Sequence, residues 1–217
     1  MLDAFVHQIF WPYLLGGLVS MLSISNPLSK IPLFVSLTGE MSERERKDVA
    51  RRASIYGLAM LTVTLFFGVF VLEAFGISYG ALRIAGGLTI ALPGYRMLFG
   101  YGYVGVSSKG PQGNIAIFPL SMPSISGPGA MAVVIGISTE IAELETTAQK
   151  AVAYAATIAS IFITCVAIWL TYRWARYLSQ AMGPDAMEAI TRILGFLLVC
   201  VGVQFVGSGV RTFIAGG

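Results

Sequence analysis

Ser23-Ile24-Ser25-Asn26-Pro27-Leu28-Ser29-Lys30-Ile31-Pro32 forms a polar, proline-marked island inside an apolar run that extends from Ile9 to Leu37. The run holds 29 residues, more than one straight membrane crossing uses at about 1.5 Å per residue. Pro27 and Pro32 each remove a backbone donor and disfavour helix just before themselves. The stretch therefore predicts a membrane helix that is interrupted partway. A break leaves N–H groups bare at the start of one half-helix and C=O groups bare at the end of the other. The first attract anions and the second cations. Irregular backbone at that depth is tolerated only where it is buried or lines a cavity.

The rest of the chain has the same apolar texture. Of 217 residues, 56% are hydrophobic and 12% are charged, about half the charged share of a soluble domain. Further apolar runs cover Ala53 to Leu72, Tyr79 to Phe99, Ala116 to Ile137, Ala151 to Tyr172 and Ile190 to Phe213. With the first, these predict six membrane-spanning helices, because the backbone must be satisfied within lipid and apolar runs of about 20 residues do so as helices. The fold class is an all-α polytopic membrane protein, one transmembrane domain over residues 1–217. The polar stretch Thr38 to Arg52 reads as the exposed, amphipathic start of the second helix. Ser42 followed by Glu45 resembles a capping box there, although an ordinary charged loop fits equally well.

Basic residues orient the chain. With the N-terminus outside, the inner loops and helix ends hold Lys30, Arg44, Arg46, Lys47, Arg51, Arg52, Arg96, Lys109, Arg173 and Arg176, against Lys150 and Arg211 outside. This bias predicts both termini outside. The net charge of +3 is that topology signal and implies no nucleic-acid partner. No basic region precedes the first apolar stretch, so a cleaved signal peptide is not expected. Cys165 and Cys200 sit in apolar runs and read as buried small hydrophobes rather than a disulfide. The single histidine, His7, offers no metal site, and none is expected.

Short internal matches suggest two halves. Arg83-Ile84-Ala85-Gly86 opens the third run and Arg192-Ile193-Leu194-Gly195 the sixth. Asn26-Pro27 interrupts the first run and Gly127-Pro128 the fourth. Repeat one would cover residues 1–105 and repeat two 106–217. Three spans per half is an odd number, so the second half enters the membrane inverted, an arrangement typical of secondary transporters. The fourth run is broken by Pro119, Pro123, Gly127, Pro128 and Gly129, with Ser121, Ser124 and Ser126 between them. The first and fourth helices are therefore both expected to be discontinuous.

Other features read as structural. Gly195, Gly202 and Gly209 repeat every seven residues and form a close-packing stripe on the last helix; Gly86 and Gly87 read the same way. Arg83 and Arg192 either snorkel to the interface or cap broken-helix carbonyls and act in gating. All eleven Asp and Glu residues fall in loops or at run ends. A membrane interior without acids suits a cargo that is net neutral or zwitterionic. The Ser, Asn, Gly and Pro lining suggests a small pocket.

Four blocks together resemble a known family. Asn26-Pro27-Leu28-Ser29-Lys30-Ile31-Pro32-Leu33-Phe34, Phe75-Gly76-Ile77-Ser78, Leu82-Arg83-Ile84-Ala85-Gly86-Gly87, and Pro119-Leu120-Ser121-Met122-Pro123 with Ser126-Gly127-Pro128-Gly129-Ala130 are similar to the MarC family of bacterial and archaeal membrane proteins. The likeness covers nearly the whole chain. It implies an inner-membrane transporter of small neutral amino acids, glycine and alanine among them. It also implies a substrate site at Ser25, Asn26, Pro27 and Ser29 with Ser126, Gly127, Pro128 and Gly129. Asn26 would make a polar contact, and Gly127-Pro128-Gly129 would cradle a carboxylate. Ser29 stands where the family usually has Gly, Lys30 lies unusually near the break, and Pro93-Gly94 adds a kink outside the family pattern.

The expected function is thus alternating-access transport of amino acids of the glycine, alanine, serine and threonine class. A proton or sodium coupling ion, a homo-oligomer and either transport direction are left open, and no other cofactor is expected. A six-span channel for small neutral solutes, or an exporter of small metabolites, is the alternative. Asn-Pro occurs once here and the second break is Gly-Pro-Gly, unlike the paired motif of water channels. An intramembrane enzyme would need a base beside its serine, and no span supplies one.

Overall fold

The computed structural model describes residues 2–99 and 114–214. The proposed repeat boundary at 105/106 and the inner-loop Lys109 lie outside the described residues. Helix α1 (Leu2–Ser25) ends at Asn26. A 3-10 turn (Pro27–Lys30) leads into α2 (Ile31–Thr38). Then follow α3 (Glu43–Ala74), α4 (Tyr79–Phe99), a wide-turn segment (Ala116–Ile125), α5 (Pro128–Ala142) and α6 (Thr147–Ile214). α6 is two arms that meet at Gly183, whose φ of 72° departs from helix.

The described fold is all helix and its outward faces are apolar. Phe66, Phe67 and Phe70 on α3 and Phe196 and Val203 on α6 are exposed, which fits lipid contact rather than water. Four helical stretches are long and apolar enough to cross a membrane: His7–Thr38, Glu43–Ala74, Thr147–Ala181 and Glu188–Ile214. The Ala116–Ile125 segment and α5, bent by 56° at their junction, make a fifth if taken as one span. The third expected span, Tyr79 to Phe99, is a helix of 21 residues but is not in that set. Arg83, Arg96, Pro93 and four glycines dilute its apolar content.

At α3, Ser42 and Glu45 form the capping box. The Ser42 N–H donates to Glu45 Oε2 at 2.8 Å, and the Ser42 Oγ accepts from the Glu45 N–H at 3.4 Å. The first turns continue with the exposed pairs Lys47–Glu43 and Arg52–Asp48. The Thr38–Arg52 region is therefore a turn followed by a capped helix start rather than a charged loop. Ser42→Ala removes one arm of the box. It is expected to cost about 1 kcal/mol of stability, read as a lowered Tm with uptake unchanged.

Small residues let the helices meet. On α4, Gly80, Gly87 and Gly94 face Gly209, Gly202 and Gly195 of α6 in antiparallel order. A methyl group on Gly87 would lie 2.5 Å from the Gly202 carbonyl oxygen, and one on Gly202 would lie 2.6 Å from that of Gly87. The expected stripe on the last helix is thus present, and its partner is a second stripe at the same spacing. Elsewhere α1 meets α6 at Gly17 and Ser160, and α3 meets the rest at Gly57 beside Ile125 and at Gly68 beside Ile135. Leu61, Leu65, Leu120, Ile125, Ile161 and Ile168 fill the centre.

Of the two cysteines, Cys165 is buried as expected. Cys200 is exposed, because the glycines of its helix take the inward face and turn it outward.

Candidate functional site

The first interruption is local chemistry. Asn26 adopts φ 32° and ψ 80°, a left-handed conformation that Asn tolerates better than most residues. Its N–H still closes the last turn of α1 on the Leu22 carbonyl at 2.8 Å, and its own carbonyl starts the next element. That carbonyl accepts from the Ser29 N–H at 3.1 Å and the Ser29 Oγ at 2.8 Å. Pro27 then occupies the first position of the 3-10 turn, where a missing N–H is harmless. Ser25 is buried, and its hydroxyl has no partner.

The second interruption is longer. Phe118 and Met122 have extended φ/ψ inside the Ala116–Ile125 segment, each immediately before a proline as proline requires. The Ser126 Oγ is fully buried and lies 3.2 Å from the Ser121 carbonyl and 3.0 Å from Met60 Sδ. Gly127 is the N-cap of α5 and Pro128 its first residue, with no side chain capping it. The N–H groups of Gly129 and Ala130 therefore have no acceptor within their helix. Gly127 is required by space, since a methyl there would lie 2.4 Å from the Pro123 carbonyl oxygen.

The two interruptions meet. A methyl group on Gly129 would lie 2.2 Å from Ile90 Cδ1 and 3.4 Å from Ile24 Cγ2, so α5 starts against the end of α1. Lys30 Nζ from the first break donates to the Ser124 carbonyl of the second and lies 3.3 Å from Ser124 Oγ. Ser124 Oγ is also 3.4 Å from the Tyr172 hydroxyl of α6, and the Tyr172 ring stacks on Phe34 of α2 with centroids 4.5 Å apart.

All eight expected site residues, Ser25, Asn26, Pro27, Ser29, Ser126, Gly127, Pro128 and Gly129, thus belong to two breaks that touch. Their roles differ in detail. The Ser29 hydroxyl is engaged by the Asn26 carbonyl, and the Cβ side of Gly129 is closed by Ile90. Arg83 and Arg192 have partners elsewhere: the Arg83 guanidinium lies 4.4 Å over the Tyr79 ring and 3.5 Å from Thr212 Oγ1, and Arg192 pairs with exposed Glu188. Lys30 is a correction. Counted from sequence as an inner-loop or helix-end cation, it is instead buried, 7% exposed, because the 3-10 turn directs it into the second break. Sequence reasoning names Ser124 and Phe34 within the two interrupted stretches but assigns neither to the site, and it gives no role to Tyr172 or Met60. The one signal for Lys30 was a basic residue inside an apolar run.

An apolar exterior, several membrane-length helices and an internal polar junction between broken helices define a multi-pass integral membrane protein. The pattern described as MarC family integral membrane protein matches residues 11–214, and the chain belongs to that family. Similar proteins named UPF0056 inner membrane protein MarC occur in Escherichia coli strain K12, Escherichia coli O6:H1 and Shigella flexneri. Each is 38% identical over 208 residues, covering 91% of this chain and 94% of the relative. No solved structure matches.

Proposed function

We propose that the chain is a secondary transporter that moves small neutral amino acids, of the glycine, alanine, serine and threonine class, across an inner membrane by alternating access. The observation that carries this reading is the direct contact between two interrupted helices, Lys30 to Ser124 and Ile24 beside Gly129. Paired discontinuous helices are the usual setting of a transporter's substrate site. The antiparallel glycine stripes of α4 and α6 support the inverted-repeat reading, because they join the third helix of one half to the third helix of the other with matching spacing. Six spans with both termini on one side follow from that reading, and the bias of basic residues assigns that side as the outside. Among the described residues, the buried polar set comprises Lys30 and ten Ser and Thr residues, with no Asp or Glu. Coupling to a proton or sodium gradient completes the proposal. The inner-membrane location is taken from the relatives' names.

Reconstituted proteoliposomes test it. Labelled glycine, alanine, serine or threonine is expected to accumulate inside above the outside concentration when a proton or sodium gradient is imposed. Asn26→Ala, which loses both the left-handed preference and the side-chain amide, is expected to lower the uptake rate about tenfold. Equilibration without accumulation would favour the channel. Absence of uptake for all four amino acids under either gradient would reject the transporter.

A further inference from the structure

Lys30 raises a charge problem that the fold leaves unsolved. It lies inside the interrupted span His7–Thr38 and is 7% exposed. Its ammonium is held by the carbonyl and hydroxyl oxygens of Ser124. Those two oxygens take two of its three hydrogens and do not neutralise it. Among the described residues, the ion pairs are Lys47–Glu43, Arg51–Asp48, Arg52–Asp48 and Arg192–Glu188, all exposed and all elsewhere. A buried cation without an anion is costly, and intramembrane ionisable groups that persist are normally paired.

A second observation points to what supplies the anion. A cavity of about 540 Å³ has Phe34 and Tyr172 in its wall, the stacked rings beside Ser124, together with Arg46, Arg173, Arg176 and Lys47. Lys47 is paired with Glu43, which leaves an excess of positive charge in the lining. A cleft of one sign concentrates ions of the other and repels its own. The Tyr172 hydroxyl touches Ser124 Oγ at 3.4 Å, so a residue of the cavity wall is in direct contact with the residue that holds Lys30. A third observation is the buried Ser25 Oγ, unpartnered and on the same break.

We propose that Lys30 is the site's anion-recognition residue and that its ligand group is a carboxylate, reached from the arginine-lined cavity past Phe34 and Tyr172. The Ser124 carbonyl positions the ammonium beforehand. An incoming carboxylate takes hydrogens from Lys30 in charge-assisted bonds and cancels its charge. The Ser124 carbonyl, relieved of Lys30, is then an acceptor for an ammonium on the same ligand. This rests on the transport reading for the cargo being an amino acid, but the recognition itself requires only a carboxylate.

Binding to the purified chain in detergent separates the two ideas. The probes are glycine against glycinamide and propionate against propionamide, followed by calorimetry and thermal shift. The wild type is expected to bind both carboxylates at least about tenfold more tightly than the amides, the scale of one hydrogen-bonded charge contact. Lys30→Met is expected to lose that preference and Lys30→Arg to keep most of it. Should Lys30→Met fail to fold, the wild-type comparison and Lys30→Arg still decide. Equal binding of carboxylate and amide by the wild type overturns the proposal. So does a carboxylate preference that survives in folded Lys30→Met, or no carboxylate binding at all. Binding of propionate without binding of glycine upholds Lys30 and rejects the amino-acid cargo.

Discussion

Gly87→Leu is expected to yield no monodisperse protein, while Gly207→Leu on the opposing helix behaves as wild type. At Gly87 even a Cβ would lie 2.5 Å from the Gly202 carbonyl oxygen and 2.8 Å from the Val206 nitrogen. Both obstacles are backbone, so no side-chain rotation relieves them, and the helices must separate. Separation at this point also lifts Gly80 from Gly209 and Gly94 from Gly195, since the three contacts lie along one antiparallel seam. Overpacking a core costs about 1–3 kcal/mol when side chains can adjust, and occasionally more. Here neither obstacle can adjust, so the cost lies beyond that range and becomes comparable to a total stability of about 5–15 kcal/mol. Gly207 has nothing within 4 Å of where its Cβ would stand, which makes it the control for adding leucine to a membrane helix. Size-exclusion elution in detergent and Tm measure the effect. A Gly87→Leu protein with wild-type elution and Tm would remove the seam from the account of stability.

The seam also shows where sequence reading stops. The heptad spacing of Gly195, Gly202 and Gly209 is visible in the chain and correctly announces a packing face. Its partner, Gly80, Gly87 and Gly94, has the same spacing but shares its helix with Gly86, two arginines and a proline. Only the antiparallel register singles it out. Asn26-Pro27 was legible because a left-handed residue followed by proline ends a helix by local chemistry alone. The second break was legible in place and in extent. Pro119 and Pro123 mark its upstream part as Gly127-Pro128 mark the start of α5, and the two non-helical residues, Phe118 and Met122, each precede a proline. Lys30 was misread for a physical reason. The positive-inside rule counts charge near span ends and does not see a turn that carries a lysine inward. Ser124 is visible in the chain as a serine of the second break, but its pairing with Lys30 is not, because the closer contact is to its carbonyl, which every residue has.

Gly129→Ala is expected to abolish amino-acid uptake while the protein still folds, and Gly129→Ala/Ile90→Ala to restore it. The new methyl would lie 2.2 Å from Ile90 Cδ1 and 3.4 Å from Ile24 Cγ2. The first obstacle is the far end of a flexible side chain, so the fold survives by a shift of Ile90 or of the start of α5. That shift occurs where α5 meets the end of α1, the junction on which the transport reading rests. A misplacement of about 1 Å at such a junction is enough to lower a rate about a hundredfold. The double variant keeps the Gly129 N–H and removes the atoms it would collide with. Restored uptake would mean that Gly129 serves by allowing close approach, with its backbone left to face the substrate. Uptake lost in both variants, with both proteins folded, would mean that a bare Cα is needed at that position, so that the substrate packs directly on it. Normal uptake in the single variant would detach Gly129 from the site. The comparison is informative because alanine changes neither charge nor hydrogen bonding. Any loss is then a statement about space between the two breaks.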